Sequence, residues 1–184
     1  MKIILFLADG FEEIEAIAPI DIFRRAGIEV LTVSVTDNLI IEGAHGISVF
    51  ADYYLSDLYD KGIIDDALLY LPGGMPGTAN LEKSDELKSL LINANEKRQT
   101  IAAICAAPSI LGKMGLLKGK KAVCYPGYEK FLEGADVSTA ETIVKSDNIL
   151  TSKAPGTAIP FALKIVELIK SKEVADKVKG DMFY

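Results

Sequence analysis

The feature that most constrains this chain is a repeated pairing. A strand-length run of uninterrupted apolar residues is followed by a stretch with helical spacing. The first run, "KIILFLA" (Lys2–Ala8), has no polar alternation. A strand of that kind is buried on both faces, as in a parallel sheet covered by helices on each side. The next stretch, "EEIEAIAPIDIFRRAG", puts Ile14, Ile17, Ile20 or Ile22, and Phe23 at helical spacing. Pro19 lies inside it and predicts a kink, and Gly27 ends it. "IEVLTVSV", "DALLYLPGG", "TIAAIC", "KAVCYPG" and "DNILTSK" read as further strands.

Between them fall "SDELKSLLINANEKRQ", with Ser84 as N-cap and Leu87, Leu90 and Leu91 as its inner stripe, and the shorter "AAPSILGKMG". A long helix, "PGTAIPFALKIVELIKSK", has Pro155 near its start, and "KEVADKVKG" adds a last short one. "NLIIEGAHGISVFADYYL" alternates around Gly43 and Gly46 and reads as a hairpin of edge strands. Strands alternating with helices imply an α/β fold with a doubly wound parallel sheet between helices and a small edge hairpin. With 184 residues, no repeat, no low-complexity segment and no linker, residues 1–184 are expected to form one domain. A chain of this length buries roughly 70% of its unfolded surface and needs no disulfide staples.

Composition narrows the function classes. The formal net charge is −6 and no basic stripe is present, which argues against stable nucleic-acid binding. Two cysteines and one histidine, His45, make neither a disulfide framework nor a structural zinc site. The N-terminus lacks the pattern of a secretory signal, and no apolar run approaches the ~18 residues of a membrane span. The expectation is a protein of the reducing cytoplasm, with no membrane partner, where free thiols persist.

In open α/β sheets, ligands bind beyond the carboxyl ends of the strands. Three features fall there: "ADGFEEIE", "LPGGMPG" and Cys105. Cys105 sits where a strand turns straight into a helix. A tight turn of that kind displays a nucleophile above the sheet. The amides and dipole of the next helix would favour the thiolate. The competing reading is a buried, inert thiol. The carboxylates of Glu12 and Glu13 read as solvated residues of a first helical turn. Glu15 lies between Ile14 and Ala16 on a largely apolar helix, so it can stay protonated and bond sulfur or relay a proton. A rival reading is an acidic, magnesium-binding phosphoacceptor pocket with Lys153 as its lysine. Gly73 and Gly74 free backbone amides for a ligand oxygen, which is how an oxyanion hole is made. There is no GxGxxG and no P-loop motif. His45 lies in the hairpin and is expected to face solvent, so a Cys–His protease arrangement is not written in the chain. Cys124 reads as structural.

Four stretches, "DGFEEIEAIAPIDIFRRAGIEV", "LPGGMPGTANL", "IAAICAAPSIL" and "LTSKAPGTAIPFALKIVE", resemble the ThiJ/PfpI superfamily, and within it the Parkinson's-disease-associated deglycase branch. The resemblance covers nearly the whole chain. It implies a flavodoxin-like, glutamine-amidotransferase-type sandwich that forms homodimers. It implies Cys105 as the reactive cysteine, Glu15 as the protonated glutamate bonded to it, and Gly74 and Ala106 as oxyanion amides. The implied activity needs no cofactor and no metal. It is glutathione-independent conversion of methylglyoxal to lactate, or removal of early methylglyoxal adducts. Oxidation of the same cysteine to sulfinate, with a role as redox sensor or chaperone, is the alternative. A small amide or nitrile hydrolase is a further one. The sequence departs from the pattern at three places. Ala106 stands where protease-like relatives carry histidine, which argues against peptidase activity. Tyr125 stands where the family places a site histidine before proline; a phenol is a poor base at neutral pH but can donate a hydrogen bond. Ala154 stands where close relatives carry glycine. From the same resemblance, His45 is a candidate contributor to the neighbouring subunit's pocket.

Overall fold

A computed structural model describes residues 1–60 and 64–184. In chain order, β1 (Lys2–Leu7) is followed by α1 (Glu13–Arg25), β2 (Val30–Ser34), β3 (Ile40–Glu42), β4 (Ser48–Phe50), β5 (Tyr53–Tyr54) and α2 (Asp57–Asp60). Then come β6 (Ala67–Leu71), α3 (Gly77–Lys83), α4 (Asp85–Glu96), β7 (Ile101–Ile104) and α5 (Pro108–Lys113). The chain continues through β8 (Lys121–Ala122), β9 (Asp136–Val137), β10 (Ile143–Ser146), β11 (Ile149–Ser152), α6 (Ala158–Ile169) and α7 (Lys172–Asp181).

Seven strands form the main sheet in the order β10-β11-β7-β6-β1-β2-β5. All neighbours are parallel except β10, which runs antiparallel to β11. The chain winds outward from β1 through β2 to β5, then returns through β6, β7 and β11. The winding therefore reverses between β1 and β6, and this flavodoxin-like doubly wound sheet has its topological switch point there. The unbroken apolar runs have their explanation in two cores, one on each face. Along β1, Ile3, Leu5 and Leu7 face the side of Phe23 on α1 and Phe161 on α6. Ile4, Phe6 and Ala8 face Leu87, Leu90 and Leu91 on α4 and Ile110 and Leu111 on α5. A two-residue period is thus present, but both phases are apolar because both faces are covered.

Several local expectations hold. Ser84 caps α4 by accepting a hydrogen bond from the Leu87 amide at 3.2 Å. The inner stripe Leu87, Leu90 and Leu91 is buried. Pro19, where a kink is expected, does not end the helix, and α1 runs on across it to Arg25.

Other details differ from the sequence reading. Strands β3 and β4 make their own two-stranded antiparallel sheet beside the edge of the main one, whose last strand is β5. The hairpin is instead pinned to the loop after β1: the Gly10 amide donates to the Glu42 carbonyl at 2.7 Å, and the Ala44 amide to the Phe11 carbonyl at 2.8 Å. "KAVCYPG" is a strand only at Lys121 and Ala122, which pair with β9. Its next amides leave the ladder for other partners, Val123 donating to Thr151 Oγ1 at 3.0 Å and Tyr125 to the Cys105 carbonyl at 2.8 Å. Cys124 therefore lies beyond a strand. Pro155 starts a short 3₁₀ turn, and α6 begins at Ala158. No helix among the described residues is long and apolar enough to cross a membrane.

Replacing Ser84 with alanine is expected to cost about 1 kcal/mol of stability. A lower urea midpoint at unchanged slope is the readout.

Candidate active site

The loops after β1, β6 and β7 meet at the carboxyl ends of the three central strands. Cys105 follows β7 directly and adopts φ +65°, a left-handed conformation that costs a non-glycine residue about 1–3 kcal/mol unless its surroundings enforce it. They do so on both sides. The Cys105 amide donates to the Ser152 carbonyl at 2.9 Å, and its own carbonyl accepts from the Tyr125 amide at 2.8 Å. The turn closes through the Ala107 amide to the Ile104 carbonyl at 3.0 Å, and Pro108 opens α5. The side chain is 8% exposed. The amides of Ala106 and Gly74 hydrogen-bond the sulfur.

Glu15 comes from the first turns of α1 and is fully buried. Its Oε2 accepts from the Gly73 amide at 2.8 Å. Its Oε1 is buried with no hydrogen-bond partner, a costly state for a carboxylate oxygen that favours the protonated group. Gly73 is where α1 and the elbow converge. A Cβ there would stand 2.7 Å from both Cys105 Cβ and Glu15 Oε2. Gly74, at φ +94°, is pressed against the loop after β1, and a Cβ there would lie 2.3 Å from the Glu12 amide nitrogen. Both positions require glycine, for contact at the first and for contact and backbone angle at the second.

Burial, the largest influence, pushes the Glu15 carboxyl up to about 7; the Glu12 charge adds to this, while hydrogen bonds from Cys105 and Gly73 oppose it. The Cys105 thiol is also pushed up, first by burial, then by the Glu15 charge and hydrogen bond, against the Ala106 and Gly74 amides. This corrects the expectation of a thiol held low by the helix start. The amides are present, but desolvation and a neighbouring carboxylate outweigh them. The two groups form a coupled pair whose protons leave in steps belonging to both. When Glu15 keeps its proton, its charge no longer opposes the thiolate, and the amides remain to hold the sulfur.

The other candidates distribute around this centre. Glu13 is not a solvated first-turn carboxylate: it is buried, and Glu12 is half-buried. Glu13 Oε1 accepts from the His45 amide at 2.7 Å and Oε2 meets His45 Nδ1 at 2.9 Å. Burial works to raise the Glu13 pKa, but the bonds from His45 and Ile47 leave it lowered. His45 is raised, first by its bond to Glu13. Its ring is exposed, as expected, and joins the hairpin to α1. Glu12, Glu13 and His45 are the grouping with metal-ligand chemistry among the described residues, their ligand atoms lying within 4.8 Å of one another. Lys153 bonds the Thr139 carbonyl at 3.1 Å, so the lysine of a phosphoacceptor pocket is turned elsewhere. Tyr125 stands beside the elbow, 43% exposed, its ring edge-on to Tyr128 at 6.4 Å. Cys124 packs in the core on the opposite face of the sheet from Cys105, and burial pushes its thiol up to about 12. Sequence reasoning missed the Ser152 carbonyl, whose only signal was its place at the end of the strand in "LTSK".

A side chain displayed at such a strand-to-helix turn defines the nucleophile-elbow class of α/β proteins. Within that class the chain belongs to the DJ-1/PfpI family, whose model matches residues 1–168. It is 35% identical over 183 residues to Parkinson disease protein 7 homolog of Danio rerio, covering 98% of this chain and 96% of that protein. It is 33% identical to Glutathione-independent glyoxalase DJR-1.2 of Caenorhabditis elegans, covering 93% and 89%. Protein DJ-1 homolog B of Arabidopsis thaliana is 36% identical over 98% of this chain, but the chain spans only 41% of that longer protein. The solved structure of oxidized Toxoplasma gondii DJ-1 superposes with a TM-score of 0.91 at 37% identity, over 100% of this chain and 98% of that one.

The Glu15 shift sets a pH dependence. The ordinary glutamate value is 4.5, and the folded value is about 7. Between them the unfolded chain has released a proton that the native chain keeps, so this group's contribution to stability falls as pH rises through the window and levels off above it. The span is worth on the order of 3 kcal/mol. Glu15→Gln cannot ionise, so its stability relative to the parent should rise across the same window. Urea unfolding of both proteins at several pH values measures the difference.

Proposed function

We propose that the chain is a cysteine-dependent, cofactor-free glyoxalase or deglycase acting on methylglyoxal or its early adducts. The observation that carries this reading is the coupled Cys105–Glu15 pair beside two amides. One proton held between thiol and carboxyl lets sulfur attack an aldehyde while the carboxyl receives that proton. The new carbon–sulfur bond gives a hemithioacetal, and the Gly74 and Ala106 amides hold the developing oxyanion, which takes the proton from Glu15. The Glu15 carboxylate then removes the hydrogen on the sulfur-bearing carbon as a proton. The electron pair passes to the adjacent carbonyl, whose oxygen takes that proton back from Glu15 to give an enediol. The hydroxyl on the sulfur-bearing carbon then gives up its proton through Glu15 to the second carbon as the thioester carbonyl forms. The product is a lactoyl thioester, and water cleaves it to lactate and the free thiol. Gly73 positions the carboxyl, and the exposed phenol of Tyr125 donates a hydrogen bond to a substrate oxygen. The name of the Caenorhabditis elegans relative agrees with this chemistry.

A second reading is supported by the likeness to an oxidized relative. The donors that hold an oxyanion can equally hold a sulfinate on Cys105, with function carried by the oxidised state. We further propose that residues 1–184 act as one domain in the cytoplasm and as a homodimer. Ile14 and Ile17 on α1 and Ile40, Ile47 and Phe50 on the hairpin are exposed, and α1 and the hairpin share one cavity wall through Ile17, Ile20, Val49 and Phe50. A patch of that kind suits an isologous contact.

The test is lactate formation from methylglyoxal without glutathione. Cys105→Ser should lose at least about a hundredfold in turnover, and Glu15→Gln about a hundredfold, with both proteins folded. A parent protein that forms no lactate, but takes up two oxygens at Cys105 under peroxide, would replace the first reading with the second.

A further inference from the structure

Proline at position 19 has a consequence one turn back in α1. Proline lacks a backbone N–H, so the carbonyl four residues earlier loses its helical donor. That carbonyl belongs to Glu15. A buried carbonyl deprived of its partner is costly, and the structure supplies a replacement from outside the helix. The Tyr70 hydroxyl donates to the Glu15 carbonyl at 3.0 Å, entirely within the core. The ring of Tyr70 is itself fixed. It is fully buried between Phe23, at 6.0 Å and nearly perpendicular, and Phe161, at 5.9 Å. Tyr70 sits on β6, three residues before Gly73, whose amide holds the Glu15 carboxyl. One segment of chain therefore grips Glu15 at both ends, main chain and side chain.

We infer that Tyr70 is a positioning residue for Glu15, and that Pro19 exists in α1 to leave the carbonyl through which Tyr70 acts. A helix satisfied entirely from within could rotate or slide slightly against the sheet. A helix bonded through one carbonyl to a rigid aromatic on the central strand cannot, and displacements near an ångström are what positioned catalytic groups fail to tolerate. The Tyr70 hydroxyl bonds the Glu15 carbonyl, whereas the carboxyl is held by the Gly73 amide, so the bond through which Tyr70 acts is to the backbone of Glu15. This inference rests on the proposed role of Glu15, and its test is arranged so that the two can fail separately.

The test uses Tyr70→Phe, which keeps the ring between Phe23 and Phe161 and removes only the hydroxyl. Two readouts are taken: kcat and KM for methylglyoxal, and the pH profile of Cys105 alkylation by iodoacetamide. A positioning role predicts a fall in kcat of about tenfold with KM within about twofold, and an alkylation midpoint moved by at least about half a pH unit. Pro19→Ala restores the helical donor to the Glu15 carbonyl. The double variant Pro19→Ala/Tyr70→Phe should therefore recover most of both losses, a coupling that unrelated sites do not show. A Tyr70→Phe protein with a lower melting temperature but parental kcat and alkylation profile overturns the inference, as does a double variant no better than Tyr70→Phe alone. Should Tyr70→Phe fail to fold, recovery of folding in the double variant supports the coupling through the Glu15 carbonyl, and a double variant that also fails to fold overturns it. If the parent makes no lactate, the glyoxalase reading falls while the alkylation profile still decides the role of Tyr70.

Discussion

Backbone at Gly73 and Gly74 passes so close to its neighbours that neither position has room for a single added carbon. On one side stand Cys105 Cβ and the Glu15 carboxyl; on the other stand Gly10 and the Glu12 amide. Everything in the site depends on this contact. It brings the Gly73 amide to Glu15 and the Gly74 amide to sulfur, and the Glu12 amide returns a bond to the Gly73 carbonyl at 3.0 Å. A loop of larger residues would hold α1 away from the elbow, and the carboxyl and the thiol would no longer titrate as one unit. The switch point of the sheet makes the contact available, because only there do two neighbouring central strands send their loops to opposite faces.

The site is costly to the fold. Cys105 occupies the left-handed region without being glycine, burial pushes the Glu15 carboxyl up to about 7, and one of its oxygens is buried without a partner. The rest of the structure offsets this with two continuous apolar cores and with local bonds that leave few alternatives. Elbow strain is contained by bonds to β11 and to the segment after β8. Strain is retained where surrounding packing over-determines it.

What the sequence made legible follows from the range of the forces involved. Buried strands, the Ser84 cap, the elbow at Cys105 and the glycines at 73 and 74 each rest on a few adjacent residues, so their signals were local. Strand β10 was not, because "IVKS" has only Val144 buried and owes its place to pairing with β11. The shortness of β8 depends on Thr151 and Cys105, partners far along the chain. Glu13 and Glu15 look alike in the sequence, two acidic residues in one helical turn. One is neutralised by a hairpin thirty-two positions away, and the other is walled in by Gly73. The balance at Cys105 is hidden from the sequence for the same reason. The helix-start amides are written in the local sequence, whereas desolvation is a property of the whole assembled site.

The two cysteines differ in what surrounds the sulfur. Both are buried, and burial pushes both above the ordinary range. A depressed thiol pKa is therefore not what separates them. Cys124 has the Glu129 charge working against its thiolate and the Lys153 charge in favour. Cys105 has two amides already directed at its sulfur and a carboxyl able to take its proton in the same step. In the proposed reaction a thiol in that setting gives up its proton as the electrophile arrives. In that proposed reaction the electrophile supplies an oxygen that inherits the amides as charge moves off sulfur, so donors outweighed at the resting thiol would act on the transition state.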